Sequence, residues 1–286
     1  EIPDVEDVYD LSPMQSGMMF DVLAVNNQGM YRVFSGYHLH GELDIPMFSE
    51  AWRRVAQRHA AIRASVHFQG LEKPVQVVHR EVDLPIEVID LQGLPAEEQE
   101  RRVQDYIMEE RAKPFDLGAP PLMRLVLFAT GPRSYWFIWT FHHILVEGWS
   151  VSVILNDVLT TYIALRKGET PALPRARPYR DFIEWLQQRD YAESEAFWRR
   201  QLAGFAGPTP LPGGYGSAHL TSAVENYGGR KIHLPADLTA SLEVFAREHK
   251  LTLNTLMRAA WAYLLSRYSG ERDVVFGTLV SGRSIP

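Results

Sequence analysis

The stretch of sequence that decides the fold is YWFIWTFHHILVEGWS, residues 135–150. Its first half is aromatic and apolar with little polar alternation, which is typical of a strand near the centre of a sheet. A second apolar run covers residues 122–130, and Gly131-Pro132-Arg133 between the two runs is a turn signal. We therefore predict an antiparallel hairpin whose second strand ends in two histidines.

The two histidines, His142 and His143, are the candidate reactive groups. Side chains alternate along a strand, so one ring can face a cleft while the other packs behind it. Gly148 then lets the backbone turn into a helix predicted over residues 149–167. A neutral imidazole, with an ordinary pKa of about 6.5, can take a proton from an attacking amine. The alternative is a buried strand end with two hydrogen-bonded imidazoles and no catalytic role.

The spacing around the histidines is what makes the segment informative. With 10 His among 286 residues, chance alone gives about 0.35 adjacent pairs, so the pair by itself is a weak motif. Requiring an acid four residues after the second His, then Gly and Trp, lowers that expectation to the order of 10⁻⁴. The compound pattern of His142, His143, Glu147, Gly148 and Trp149 is therefore specific.

Outside the hairpin, apolar periodicity and turn residues predict further strands and helices. Strands are expected over residues 31–41, 62–68, 75–79, 86–89, 230–234 and 273–280. Helices are expected over residues 95–112, 179–202, 236–249 and 253–268. Another helix begins at Asp44 and Pro46, with one apolar face made of Phe48, Ala51, Trp52, Val55 and Ala56. We expect the following tryptophans to be packing residues: Trp52, Trp136, Trp139, Trp185 and Trp198.

The best domain boundary lies in residues 167–178, which hold three prolines and one glycine. Helices and strands alternate irregularly on both sides of it, which predicts two mixed α/β lobes. We place the first domain at residues 1–172 and the second at residues 173–286.

Composition excludes several classes of function. The net charge is −6 and no basic stripe is visible, so no nucleic-acid partner is expected. There is no cysteine, which removes disulfides and Cys-based metal sites and fits a cytoplasmic location. No run approaches 18 apolar residues, so no membrane partner is expected. The opening residues have neither the features of a signal peptide nor an initiator Met, and we expect a piece of a longer polypeptide.

Five segments, in order along the chain, resemble motifs of one family. HHILVEGWS (142–150) resembles the HHxxxDGWS motif of the condensation domains of nonribosomal peptide synthetases, which belong to the chloramphenicol acetyltransferase-like superfamily. The other four resemble the family's YPLSPMQxGMLF, RHxxLR, PYRDFxxW and VxGxxxxGR motifs, and they are YDLSPMQSGMMF (9–20), RHAAIR (58–63), PYRDFIEW (178–185) and VFGTLVSGR (275–283). The resemblance implies a mixed α+β fold of two acyltransferase-like lobes in a V with a central tunnel.

The resemblance also implies the chemistry. Two peptidyl carrier proteins, an upstream donor and a downstream acceptor, would each insert a phosphopantetheine arm, and an adenylation domain would be adjacent. No cofactor would be bound directly and no metal is expected, since His38 and His40 lack a third ligand. The resemblance assigns His143, His142 and Gly148 to the catalytic set, with His143 positioning or deprotonating the amine and the Gly148 N–H near the oxyanion. It assigns structural roles to the remaining site residues, Glu147, Arg63, Trp149 and Ser150.

Two departures from the family pattern bear on activity. The family's aspartate is Glu147 here, which keeps the charge and adds a methylene; we expect it to pair with Arg63 and to brace the loop in a somewhat altered geometry. The chain also ends before an NTxxxR-like segment, so we expect an incomplete second lobe. The competing functions are a related acyl-CoA- or carrier-dependent acyltransferase and a degenerate domain that only docks carriers. Residues 70–79 and the opening motif resemble those of condensation domains that follow an epimerisation domain, which implies a donor that ends in a D-residue.

Overall fold

The computed structural model describes residues 2, 4–24, 30–205, 207, 209–211 and 232–279. The chain divides into two compact units, residues 1–190 and 191–286, and each is described by itself. The expected division at residues 172 and 173 stays a prediction.

The first unit contains two β-sheets. The strands, in chain order, are β1 (Val5–Asp10), β2 (Arg32–His40), β3 (Ala64–His67), β4 (Val75–His79), β5 (Ile86–Asp90), β6 (Met123–Gly131) and β7 (Ser134–His142). One sheet has the order β1-β4-β3 and the other the order β2-β7-β6-β5. All neighbouring strands are antiparallel except β5 and β6, which are parallel.

The predicted hairpin is confirmed. Strands β6 and β7 are antiparallel, Gly131 pairs with Ser134 across the turn, and the two strands occupy the centre of the four-stranded sheet. Trp139 faces the main core while Ile138 faces a second apolar cluster on the other side of the sheet. Both faces of β7 are therefore covered, which explains its nearly continuous apolar sequence.

The helices of the first unit cover these sheets. They are α1 (Pro13–Ala24), α2 (Ile45–Arg58), α3 (Ala96–Ala112), α4 (Gly148–Lys167) and α5 (Tyr179–Gln187). The predicted apolar face of α2 is buried as expected. The Asp44 side chain caps this helix by accepting the Met47 N–H at 2.9 Å. Trp52 from the same helix packs edge-on to Trp139 with ring centroids 5.1 Å apart.

Helix α4 is long and apolar enough, by composition alone, to span a membrane. This is weak evidence, because α4 packs against α2 and carries a buried carboxylate near its middle. Asp157, 4% exposed, lies 3.1 Å from the Arg58 Nε and 2.8 Å from the His59 Nε2. Such a paired charge is typical of a helix packed inside a globular fold.

The second unit contains α6 (Ala192–Gln201), α7 (Ala236–Glu248) and α8 (Leu253–Ser269). The single helix predicted over residues 179–202 is wrong, because residues 188–191 are not helical. Helix α5 buries Ile183 in the first unit, whereas α6 buries no residue. The break falls where the chain passes from one compact unit to the other.

Two strands predicted in the second unit are not present over the described residues. Residues 232–234 and 273–279 are not in strands, while Arg230, Lys231 and Val280 lie outside the described residues. A strand requires a neighbouring strand for its backbone groups, and Val275 instead donates its N–H to the Thr209 Oγ1 at 2.9 Å.

Most of the predicted packing tryptophans are confirmed. Trp52 and Trp139 are fully buried, Trp136 packs against the second apolar cluster, and Trp185 stacks on Phe182. The prediction for Trp198 is wrong, because its side chain is 58% exposed on α6.

Candidate active site

Strand β7 brings the two histidines to a tight turn at the end of the central hairpin. The His142 N–H donates to the Leu122 carbonyl at 3.0 Å, and the His143 N–H donates to the Tyr31 carbonyl at 2.7 Å. The Leu145 N–H then returns to the His142 carbonyl at 3.1 Å. The backbone of His142 and His143 is thus hydrogen-bonded to two other segments of the chain, at Leu122 and at Tyr31. We call residues 142–145 the histidine turn.

The His142 ring is a structural part of this turn. It is 2% exposed, and its Nδ1 accepts the Ile144 N–H at 3.2 Å. Burial lowers the pKa of His142 to about 4, and the positive charge of Arg32 acts in the same direction. The ring is therefore neutral near pH 7 and keeps the lone pair that Ile144 requires.

The His143 ring has a different environment. It is half-buried, and its Nδ1 is enclosed without a hydrogen-bond partner. Within the described part of the chain, neither of its ring nitrogens is hydrogen-bonded. The two rings therefore differ in their surroundings: the His142 ring is hydrogen-bonded within the turn, whereas the His143 ring has no hydrogen bond among the described residues. The catalytic role expected for His143 stays a prediction.

Gly148 is the first residue of α4, directly after Glu147, whose carbonyl accepts the Val151 N–H at 3.0 Å. Gly148 is not among the glycines with positive φ, so the expected sharp turn that only glycine allows is not what the structure shows. A Cβ at Gly148 would have no atom within 4 Å. Glycine therefore leaves open space beside the backbone at the start of the helix. Ser150 is half-buried and Trp149 is 69% exposed in the same turn.

The predicted partner of Arg63 is wrong. Its guanidinium, 3% exposed, pairs with the Glu6 carboxylate at 2.6 Å and not with Glu147 as expected. Its Nε also donates to the Ala56 carbonyl at 3.1 Å, and its Nη1 donates to the carbonyls of His79 and Arg80. The cause is local: residues 60–63 form a 3₁₀ turn, so the strand predicted from residue 62 begins only at Ala64. The turn directs Arg63 to Glu6 of β1 and to the end of β4.

One contact of the histidine turn was missed from the sequence. The Gln15 Nε2 donates to the Ile144 carbonyl at 3.0 Å, across 129 residues of sequence. Ser12 and Gln15 have the spacing of a capping box, which indicates a helix start. That signal predicts the local role of Gln15, but no sequence pattern indicates its distant partner.

The pair His38 and His40 does not form a metal-binding cluster. The two rings stack with centroids 6.2 Å apart on β2, and His38 also packs on Trp136 at 3.8 Å. Over the described ranges, no group of three or more His, Asp, Glu or Cys side chains has the geometry to hold a metal ion.

The chain is similar to known proteins over nearly its whole length. A family model described as a condensation domain matches residues 5–286. One of the linear gramicidin synthase proteins of Brevibacillus parabrevis is 40% identical over 279 residues, covering 98% of this chain and 4% of that protein. Bacitracin synthase 1 of Bacillus licheniformis is 34% identical over 284 residues, covering 99% of this chain and 5% of that protein.

The fold is also similar to that of a solved structure, the first condensation domain of the calcium-dependent antibiotic synthetase. The TM-score is 0.77 at 20% identity, with 94% of this chain and 63% of that chain covered. The predicted chloramphenicol acetyltransferase-like class is thereby confirmed. The chain spans only 4–5% of the length of the two synthetases.

Proposed function

Since this chain belongs to the condensation domain family, we propose that it joins two carrier-bound substrates through an amide bond. The donor is an aminoacyl or peptidyl thioester and the acceptor is an aminoacyl thioester, both on the phosphopantetheine arms of peptidyl carrier proteins. We further propose that these carriers stand upstream and downstream of the chain, with an adenylation domain adjacent, in the cytoplasm. The great length of the related synthetases supports this multidomain setting.

The observation that carries the proposal is the His143 imidazole, whose nitrogens have no partner among the described residues. The acceptor amine attacks the donor carbonyl carbon while a His143 nitrogen takes the amine proton. The C–N bond forms, the C–S bond breaks, and the proton passes to the departing thiolate of the donor arm. Holding two tethered reactants together contributes further to the rate, by up to about 7–11 kcal/mol.

The surroundings of His143 support this chemistry in two ways. His142 accepts the Ile144 N–H and fixes the turn without competing for the substrate. Gly148 begins α4, where backbone N–H groups have no partner inside the helix and the helix dipole is positive. An N–H placed there can donate to the oxyanion of the tetrahedral intermediate.

The proposal is tested by a single-turnover assay in the full-length protein, with aminoacyl groups loaded on both carriers and the products identified by mass spectrometry. We expect His143→Ala to lower the rate of amide formation by about 100-fold or more. His40→Ala is the matched control, since it removes an exposed histidine from β2. Donors ending in a D- and an L-residue are compared, with the D-donor expected to react faster.

Two results would contradict the proposal, and each corresponds to one of the competing functions. Full activity of His143→Ala would remove the assigned base and favour a domain that only docks carriers. Turnover with free acyl-CoA in the absence of loaded carriers would favour the related acyltransferase.

A further inference from the structure

Gln15 lies at the start of α1, in a reciprocal capping arrangement with Ser12. The Ser12 N–H donates to the Gln15 Oε1 at 2.9 Å, and the Gln15 N–H donates to the Ser12 Oγ at 3.2 Å. Both residues are 5% exposed. Because the amide oxygen is used by the cap, the amide nitrogen must point away from the helix start.

The amide nitrogen is directed at the histidine turn. The Gln15 Nε2 donates to the Ile144 carbonyl at 3.0 Å, and Gln76 lies on its other side, with its Oε1 3.4 Å away. Gln76 is itself oriented by donating to the Asp10 carbonyl at 2.9 Å. The orientation of the Gln15 amide is unambiguous, since a backbone N–H can only donate and a carbonyl can only accept.

Ile144 directly follows His143, and it is held at both of its backbone polar groups. Its N–H donates to the His142 Nδ1 and its carbonyl accepts from Gln15. The His143 side chain has no hydrogen bond of its own among the described residues. The orientation of the His143 ring therefore depends on the backbone of the histidine turn. Among the described contacts, Gln15 is the only side chain from another element that forms a hydrogen bond with Ile144.

We propose that Gln15 is a positioning residue for the reaction: it holds the Ile144 carbonyl and thereby sets the place of the His143 ring. This inference rests on the proposed function, because it assumes that His143 acts on the substrate. Gln15 does not touch the reactants. Its loss displaces the base and leaves the affinity for the loaded carriers unchanged.

The test is a multiple-turnover version of the assay described above, in which the full-length protein receives loaded donor carrier as a separate protein at varied concentration. It is applied to Gln15→Met and Gln15→Glu. Gln15→Met keeps the length of the side chain and removes the donor. Gln15→Glu keeps an acceptor for the Ser12 N–H and places a second oxygen at the Ile144 carbonyl. We expect both variants to lower kcat by about 10- to 100-fold at pH 8, with KM for the loaded carriers changed by less than about twofold.

Ser65→Ala is the control that distinguishes a positioning role of Gln15 from a purely structural one. Ser65 is fully buried on β3, where its Oγ lies 2.8 Å from the His79 Nε2 and 2.9 Å from the His67 Nε2. Ser65→Ala therefore removes buried hydrogen bonds in the other sheet, and we expect it to lower the melting temperature without lowering kcat. Circular dichroism at the assay temperature confirms that each variant is folded. If Gln15→Met does not fold, the kcat and KM of Gln15→Glu decide whether the inference holds.

The outcomes distinguish the inference from the proposed function. Folded Gln15 variants with kcat within twofold of the unmodified protein overturn the inference, provided that His143→Ala is inactive. A rise in KM with unchanged kcat also overturns it. If His143→Ala keeps full activity, the proposed function fails, and the inference fails with it.

Discussion

Arg32 and His142 are direct neighbours across the β2–β7 pair, with Arg32 in register with His142. The Arg32 Nη1 donates to the Glu110 carbonyl at 2.8 Å, which holds the guanidinium near this end of the sheet. Its charge adds to burial in lowering the pKa of His142 to about 4. The last residue pair of the strands thus keeps the first histidine neutral, in the state that accepts the Ile144 N–H.

The lowered pKa of His142 predicts a loss of stability in acid. Between pH 6.5 and about 4 the unfolded chain binds a proton that the folded chain does not, so stability falls as pH falls through this window. The full difference corresponds to about 3 kcal/mol. Urea unfolding measured from pH 4 to 8 checks this, and His142→Asn, which keeps an acceptor for the Ile144 N–H, should have a flatter profile. Parallel profiles for the two proteins would contradict the prediction.

Because Arg63 pairs with Glu6, we expect its contribution to stability to be coupled to Glu6 and not to Glu147. We expect a double-mutant cycle of Arg63→Ala and Glu6→Ala to give a coupling of about 1 kcal/mol, because one partner is buried and the other half exposed. The cycle of Arg63→Ala with Glu147→Ala should give less than about 0.5 kcal/mol. Unfolding free energies in urea measure both. A larger coupling with Glu147 would restore the brace that the family pattern implies.

The buried Asp157 carboxylate is expected to contribute strongly to stability. Asp157→Asn leaves the partly buried Arg58 without its carboxylate and weakens the packing of α4 on α2, so we expect a loss of about 3 kcal/mol. Glu50→Gln is the matched control, since it breaks exposed pairs with Arg53 and Arg54 and should cost less than about 1 kcal/mol. Thermal unfolding of both variants is the measurement, and equal effects would refute the distinction.

Substitution of Gly148 is expected to lower activity without lowering stability. A Cβ at this position meets no atom of the chain within 4 Å, so Gly148→Ala should change the unfolding free energy by less than about 0.5 kcal/mol. If the thioester approaches this N–H, the added methyl group fills its space, and we expect a rate loss of about tenfold or more. The single-turnover assay measures the rate. An unchanged rate would remove Gly148 from the catalytic set.

The elements that the sequence predicted well are those whose evidence is local. The β6–β7 hairpin follows from two apolar runs and one turn, and α2 follows from Asp44 and the apolar face behind it. The histidine turn could be recognised because several rare residues lie at a fixed spacing, and that spacing can be read from the sequence without knowledge of the fold.

By itself, the sequence determined the family, the central hairpin and the candidate base, since periodicity and motif spacing are properties of neighbouring residues. Only the tertiary structure decided that Arg63 pairs with Glu6, that Gln15 holds Ile144, and that residues 273–279 are not in a strand. Those outcomes depend on which distant groups lie within hydrogen-bonding distance. Burial and partners are set by packing between segments far apart in the chain, and no local pattern encodes them.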